Sequence, residues 1–326
     1  MKPSAVFHAV RELAVKAKQP VFVSSPPGCG KSSVVRQAAD SLSIQLRDIR
    51  ALLLDPVDLR GLPRLGKDGR ATWAIPDFLP QEGEGILFLD ELNAAPAMVQ
   101  AACYQLVLDR KLGEYTLPEG WAIVAAGNRD SDRAATTRMP TALRNRFVHI
   151  DFEVDVNEWS EWALRAGIRP EVIAFLRFRS PLLSAFDRDA NAFPSPRSWE
   201  FVSRILRGDH KPNVQHELFA GAVGIGAATE FSGFLEMYRT LPSIDAILLN
   251  PLQEPIPENE AAKYAITTSL ARCATDNNFD RIMMYMDRMP AEYGVLCVRD
   301  AVLKEPAIRH TSAFVQWAVN NQEVIA

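Results

Sequence analysis

The stretch that most limits what this chain can fold into is Val21-Phe22-Val23-Ser24-Ser25-Pro26-Pro27-Gly28-Cys29-Gly30-Lys31-Ser32-Ser33-Val34. A β-branched and aromatic run stops at a Pro/Gly cluster. Apolar residues at helical spacing follow: Val34, Val35, Ala38 and Ala39. That order predicts strand, tight loop and helix. The loop fits the phosphate-binding pattern G-x-x-x-x-G-K-[ST], except that Ser25 stands where the first glycine belongs. Gly28 and Gly30 let the backbone turn its N–H groups inward without a Cβ in the way. Those groups and the following helix N-terminus favour an anion. Pro26, Pro27, Gly28, Cys29, Gly30, Lys31, Ser32 and Ser33 are the candidate nucleotide-binding residues. Lys31 would reach the β- and γ-phosphates, and Ser32 would hold Mg²⁺. An ordinary Gly/Pro turn ahead of a helix has no need of Lys-Ser at the helix start.

Around this unit the chain alternates. Residues 6–14 carry apolar positions at spacings of three and four, with Ser4 as a cap, and predict a first helix. Ile44–Ile49 alternates as a second strand. Asp55-Pro56-Val57-Asp58-Leu59-Arg60-Gly61 reads as a turn, and Lys67-Asp68-Gly69-Arg70 as the tip of a hairpin with Trp73 on the returning strand. Gly85-Ile86-Leu87-Phe88-Leu89-Asp90-Glu91 is an apolar run bounded by glycine and acids, as in a strand buried on both faces. Ala94–Asp109 reads as a helix and 111–118 as a second small hairpin that includes Tyr115. Trp121–Ala126 is another buried strand, and a short helix near 141–145 leads to a fifth strand at 147–150. Strands alternating with helices predict a mostly parallel sheet flanked by helices.

Beyond Asp151 the pattern is helical. Helices are expected near 156–166, 170–178, 198–206, 214–221 and 227–238, then a proline-punctuated connection at 242–257, then helices to about 321. The expected organisation is an α/β core at 1–152, an all-helical segment at 153–240 and a helical C-terminal region at 241–326. Met283, Met284, Met286 and Met289, near Tyr285, are expected in the core, with an adaptable binding surface as the alternative.

Bulk composition excludes several classes. The 326 residues carry a net charge of −4, which argues against non-specific nucleic-acid binding. The four cysteines show no paired spacing and read as reduced thiols. No apolar run reaches membrane-spanning length, and the N-terminus has no signal-peptide core, so a cytoplasmic location is expected.

Asp90 ends a buried strand, expected to lie beside the phosphate-loop strand, and an acid there can bind Mg²⁺. Glu91 follows directly and can orient or deprotonate an attacking water. Asn128, at the next strand end, could hold that water or touch the γ-phosphate. Arg144-Asn145-Arg146 precedes the fifth strand. A guanidinium offered to a neighbouring subunit's nucleotide would act as an arginine finger, with Arg146 the first choice and Arg144 the alternative. Ser195-Pro196-Arg197 opens a later helix, from which Arg197 could reach a nucleotide.

Taken in order, these residues resemble an AAA+ ATPase: Walker A at 26–32, Walker B at 87–91, sensor 1 at Asn128, the arginine finger at 144–146 and sensor 2 at 195–197. Ser-Pro-Arg at sensor 2 and Asp58-Leu59-Arg60-Gly61 before a hairpin are most similar to the MoxR branch. Asn128-Arg129-Asp130 departs from the Asn-Pro that many MoxR relatives carry. The resemblance covers about residues 1–240. It implies a P-loop parallel sheet with a helical lid, bound ATP and Mg²⁺, and a ring, expected to be a homo-hexamer. It also implies chaperone-like remodelling of a protein client, often beside a partner with a von Willebrand factor type A domain. The two hairpins would then face the pore or client, or simply decorate the surface. A nucleic-acid motor on the same fold and a nucleotide-gated scaffold with little hydrolysis are the alternatives.

Overall fold

The computed structural model describes residues 1–65, 71–129 and 139–321. The expected hairpin tip at 67–70, residue Asp130 and the last five residues lie outside the described residues. The chain divides into two compact units, Met1–Val154 and Asp155–Ala326. Among the described residues, no helix is long and apolar enough to cross a membrane.

The first unit opens with helix α1 (Pro3–Ala9), which continues in wider π-helical turns over Val10–Lys16. Lys2, not Ser4, takes its N-cap position, because Pro3 already supplies the preset φ of a first helical residue. Strand β1 (Val21–Ser24) leads through the loop into α2 (Lys31–Ser41), and β2 (Gln45–Arg50) follows. Asp55-Pro56 starts a short helix, α3 (Pro56–Arg60), where a turn was expected. Asp55 and Asp58 form a reciprocal capping box there, and Gly61 ends the helix at φ +81°. Strands β3 (Leu62–Leu65) and β4 (Ala71–Ala74) pair antiparallel, with Trp73 opposite Pro63. The unit continues with β5 (Gly85–Asp90), α4 (Ala97–Asp109), and the two-residue strands β6 (Lys111–Leu112) and β7 (Tyr115–Thr116). It closes with β8 (Trp121–Gly127), α5 (Thr141–Arg144) and β9 (Val148–Asp151). Helix α4 begins later than expected, because Pro96 takes its N-cap position.

Five strands form one parallel sheet in the order β2-β5-β8-β1-β9. Alternate residues of β5 serve opposite faces. Ile86 and Phe88 pack with Val35 of α2, while Leu87 and Leu89 pack with Val99 and Leu106 of α4. Cores on both faces account for the unbroken apolar runs of β5 and β8. Tyr115 is buried, and its hydroxyl donates to the Pro80 carbonyl at 2.5 Å. Trp73 is 40% exposed, so it packs less fully than Tyr115 does.

The second unit is helical: α6 (Val156–Arg165), α7 (Pro170–Phe178), α8 (Pro196–Ile205), α9 (Pro212–Val223) and α10 (Ile225–Arg239). Helices α11 (Ile244–Leu249), α12 (Glu260–Cys273), α13 (Phe279–Met286), α14 (Ala291–Lys304) and α15 (Ser312–Asn320) follow. Helix α11 lies within the stretch expected to be connection. Ser243 caps it by accepting from the Ala246 N–H. Met283, Met286 and Met289 are core residues, whereas Met284 faces outward. Arg177 of α7 and Asp300 of α14 form a bidentate pair at 2.5 and 3.0 Å, with side chains 3% and 0% exposed. This pair joins the 153–240 segment to the 241–326 segment inside one unit. All four cysteines are free thiols, and burial pushes that of Cys103 up to about 12.

Candidate nucleotide site

The phosphate loop leaves β1 at Ser24 and enters α2 at Lys31. Gly28 (φ +78°) and Gly30 (φ +100°) both hold left-handed backbone, which only glycine adopts at little cost. Gly30 is the N-cap of α2, so the loop ends on a helix N-terminus, whose first N–H groups find no acceptor within the helix itself. Ser25 is fully buried, and its hydroxyl donates to the Pro26 carbonyl at 3.0 Å. Cys29 is buried beneath the loop, while Ser33 is exposed on the first turn of α2.

Lys31 folds back over this loop. Its Nζ donates to Ser25 O at 3.0 Å, Ser25 Oγ at 3.1 Å, Pro26 O at 3.3 Å and Asn128 Oδ1 at 3.2 Å. Ser32 Oγ donates to Asp90 Oδ2 at 2.9 Å. The other carboxylate oxygen of Asp90 accepts from the Glu91 N–H at 3.0 Å. Glu91 has φ +56° and ψ +32°, an uncommon conformation for a residue with a side chain. It turns the chain off the sheet immediately after the acid pair. Backbone held in a sparsely populated region clusters at functional sites.

The sheet order corrects one expectation. The strand of Asp90 is not beside the phosphate-loop strand, because β8 lies between β5 and β1. Strands lie about 4.8 Å apart, so Asp90 ends a strand roughly 10 Å from β1. Helix α2 packs across β5 and β8, and its first turn closes that gap through Ser32. The intervening strand ends at Gly127, directly before Asn128, which explains why Asn128 meets Lys31. Lys31, Ser32, Asp90, Glu91 and Asn128 thus share one end of the sheet.

The arginines are placed differently. Arg146 is exposed, and its backbone carbonyl accepts from Gln19 Nε2 at 3.4 Å. Arg144 is half-buried, with its Nε enclosed and without a partner among the described residues. It lines a cavity of about 530 Å³ with Ser24, Asn93, Asn128, Arg129 and His149. Arg197 belongs to the second unit, exposed on the first turn of α8. That helix starts at a capping box in which Ser195 Oγ accepts from the Ser198 N–H.

Three features were not expected from sequence. Asn93 is buried, and its Nδ2 donates to the Asn128 carbonyl at 2.7 Å. Its position three residues after Asp90 was the only signal. Arg129 pairs through Nε with Asp151 at 2.6 Å. Asp48 of β2 lies near Arg36 of α2 (3.5 Å), and burial followed by the charge of Asp90 pushes its carboxyl above the ordinary range. Among the described residues, no three His, Cys, Asp or Glu side chains gather to hold a metal.

A parallel α/β domain with a glycine-turned loop, a lysine folded over it and a serine–aspartate pair beside it is the architecture of a P-loop nucleotide-binding domain. Residues 21–154 match the ATPase family associated with various cellular activities (AAA), which supports ATPase activity. A search of curated proteins by sequence finds no match. Among solved structures, the chain is similar to the Thermotoga maritima RuvB Holliday junction branch migration motor, at 16% identity and TM-score 0.38, covering 87% of this chain and 87% of that one. It is also similar to NtrX from Brucella abortus, at 15% identity and TM-score 0.40, covering 92% of this chain and 67% of that one.

Proposed function

We propose that this chain couples Mg²⁺-dependent ATP hydrolysis to the remodelling or activation of a partner protein, working from a ring of identical subunits in the manner of the MoxR branch. The observation that carries the reading is the set of bonds joining Lys31 to Asn128 and Ser32 to Asp90 across one end of the sheet. In this reading the N–H groups of residues 28–33 and the Lys31 ammonium bind the β- and γ-phosphates. Ser32 and Asp90 offer two hard oxygens 2.9 Å apart, a donor set that suits Mg²⁺, which takes few protein ligands beside phosphates and water. Bound there, such an ion would neutralise phosphate charge. Glu91 accepts the proton of the attacking water, and Asn128 orients that water or touches the γ-phosphate. Arg146, exposed ahead of β9, reaches a neighbour's nucleotide, with half-buried Arg144 the alternative. Arg197, exposed on the first turn of α8, is the sensor 2 candidate. A net charge of −4 favours a protein client over nucleic acid. The client, possible only as a protein in this reading, is sought by trapping: Glu91→Gln should hold ATP and its client together.

The direct test is turnover of that same variant. Glu91→Gln should bind ATP as the wild type does and lose about 10²–10⁴ in kcat, the usual contribution of a positioned general base. Hydrolysis at the wild-type rate would refute the role given to Glu91.

A further inference from the structure

We propose that Asn93 is a positioning residue for ATP hydrolysis, holding Asn128 in register with the acid pair Asp90-Glu91. The inference rests on Glu91 and Asn128 acting in hydrolysis, as proposed above. Its basis is a gap in the sheet. The β5–β8 ladder ends where Leu89 faces Ala125, so neither Asp90-Glu91 nor Asn128 is fixed to the other by strand pairing. Glu91 then turns the chain, and the following 3₁₀ turn, Leu92–Ala94, brings Asn93 back under the end of β8. Its Nδ2 donates to the Asn128 carbonyl at 2.7 Å, three residues past the point where the ladder stops. The same Asn128 accepts from Lys31 through Oδ1. One side chain therefore ties the turn after the acids to the residue that meets the phosphate-loop lysine.

Two further observations show a site built around this carboxamide. Asn93 is 3% exposed, and its Oδ1 is buried with no partner among the described residues. An unsatisfied buried acceptor costs stability, so packing alone would favour an apolar residue here. Gly127 matches it: a Cβ at that position would lie 1.9 Å from Asn93 Oδ1. The strand end gives up its side chain where the carboxamide lies.

The test is a double-mutant cycle on the full chain, with melting temperature, ATP Kd, KM and kcat measured for each variant. Asn93→Ala should lower kcat about tenfold or more, since small misplacements of reacting groups are costly, while Kd and KM stay within about threefold. Asn93→Asp keeps the shape but turns an oxygen toward the Asn128 carbonyl. It should show the same split, and it serves if the alanine variant fails to fold. Asn93→Ala combined with Asn128→Ala should be no slower than Asn128→Ala alone, because the tie has nothing left to position. Losses that multiply, or wild-type kcat in both Asn93 variants, would overturn the inference while leaving Glu91-dependent hydrolysis intact. Absence of Glu91-dependent turnover in the wild type would overturn both readings.

Discussion

Replacing Lys31 with methionine separates what the lysine does for the loop itself from what it does for a nucleotide. The ammonium has four oxygen acceptors within 3.3 Å, so it is already well solvated by protein. A phosphate must draw it away from some of them. An ammonium and a phosphate charge about 4 Å apart attract by roughly 4 kcal/mol at an effective dielectric of about 20. Giving up one charged hydrogen bond costs about 2 kcal/mol. The difference, about 2 kcal/mol, corresponds to roughly 30-fold in Kd. Lys31→Met should therefore weaken Mg-ATP binding about 30-fold, not abolish it. It should also lower stability by about 1 kcal/mol, because the carbonyl of fully buried Ser25 loses its lysine. Calorimetric titration reads the first effect and urea denaturation the second. A folded variant whose Kd changes less than about threefold would refute the placement of phosphate over Lys31.

Three other outcomes follow from the same geometry. Asp300→Ala strands Arg177 among buried groups and should cost about 3–5 kcal/mol by denaturation, whereas Arg177→Met with Asp300→Leu should recover most of it. Asp48→Asn should raise the melting temperature at pH 7. The carboxyl of Asp48 is pushed up by burial and by Asp90, so its ionised form opposes folding above the ordinary carboxylate range, and the gain should fade as pH falls below about 4. In the proposed ring, mixing Arg146→Ala subunits with Lys31→Ala subunits should restore part of the lost activity, because one mixed interface would pair an intact arginine with an intact loop. Mixed rings that form without rescue would remove Arg146 from the finger role.

What sequence made legible here was chemistry carried by contiguous residues. Gly28, Gly30, Lys31 and Ser32 mark the loop because backbone freedom and side-chain type are both local properties. The β5 and β8 runs stand out because burial on two faces leaves no polar alternation. Lateral order is a different matter. Right-handed crossovers permit more than one neighbour for β1, and nothing in residues 85–91 says that β8 will be inserted between. Asp55 and Asp58 read as turn formers because the same side chains that favour turns also cap helices, and only the reciprocal bond distinguishes the two. Arg177 and Asp300, separated by 123 residues, carry no local mark of their pairing. Asn93 belongs to the same class: three residues from Asp90 it reads as one more polar residue after a strand. Its role depends on where β8 ends, a long-range fact. The groups proposed to handle phosphate are thus local in sequence, while the bonds that hold them in mutual register run across the sheet. Substitutions that leave every recognisable motif intact, as at Asn93 or Gly127, are therefore expected to impair turnover as strongly as many within the motifs.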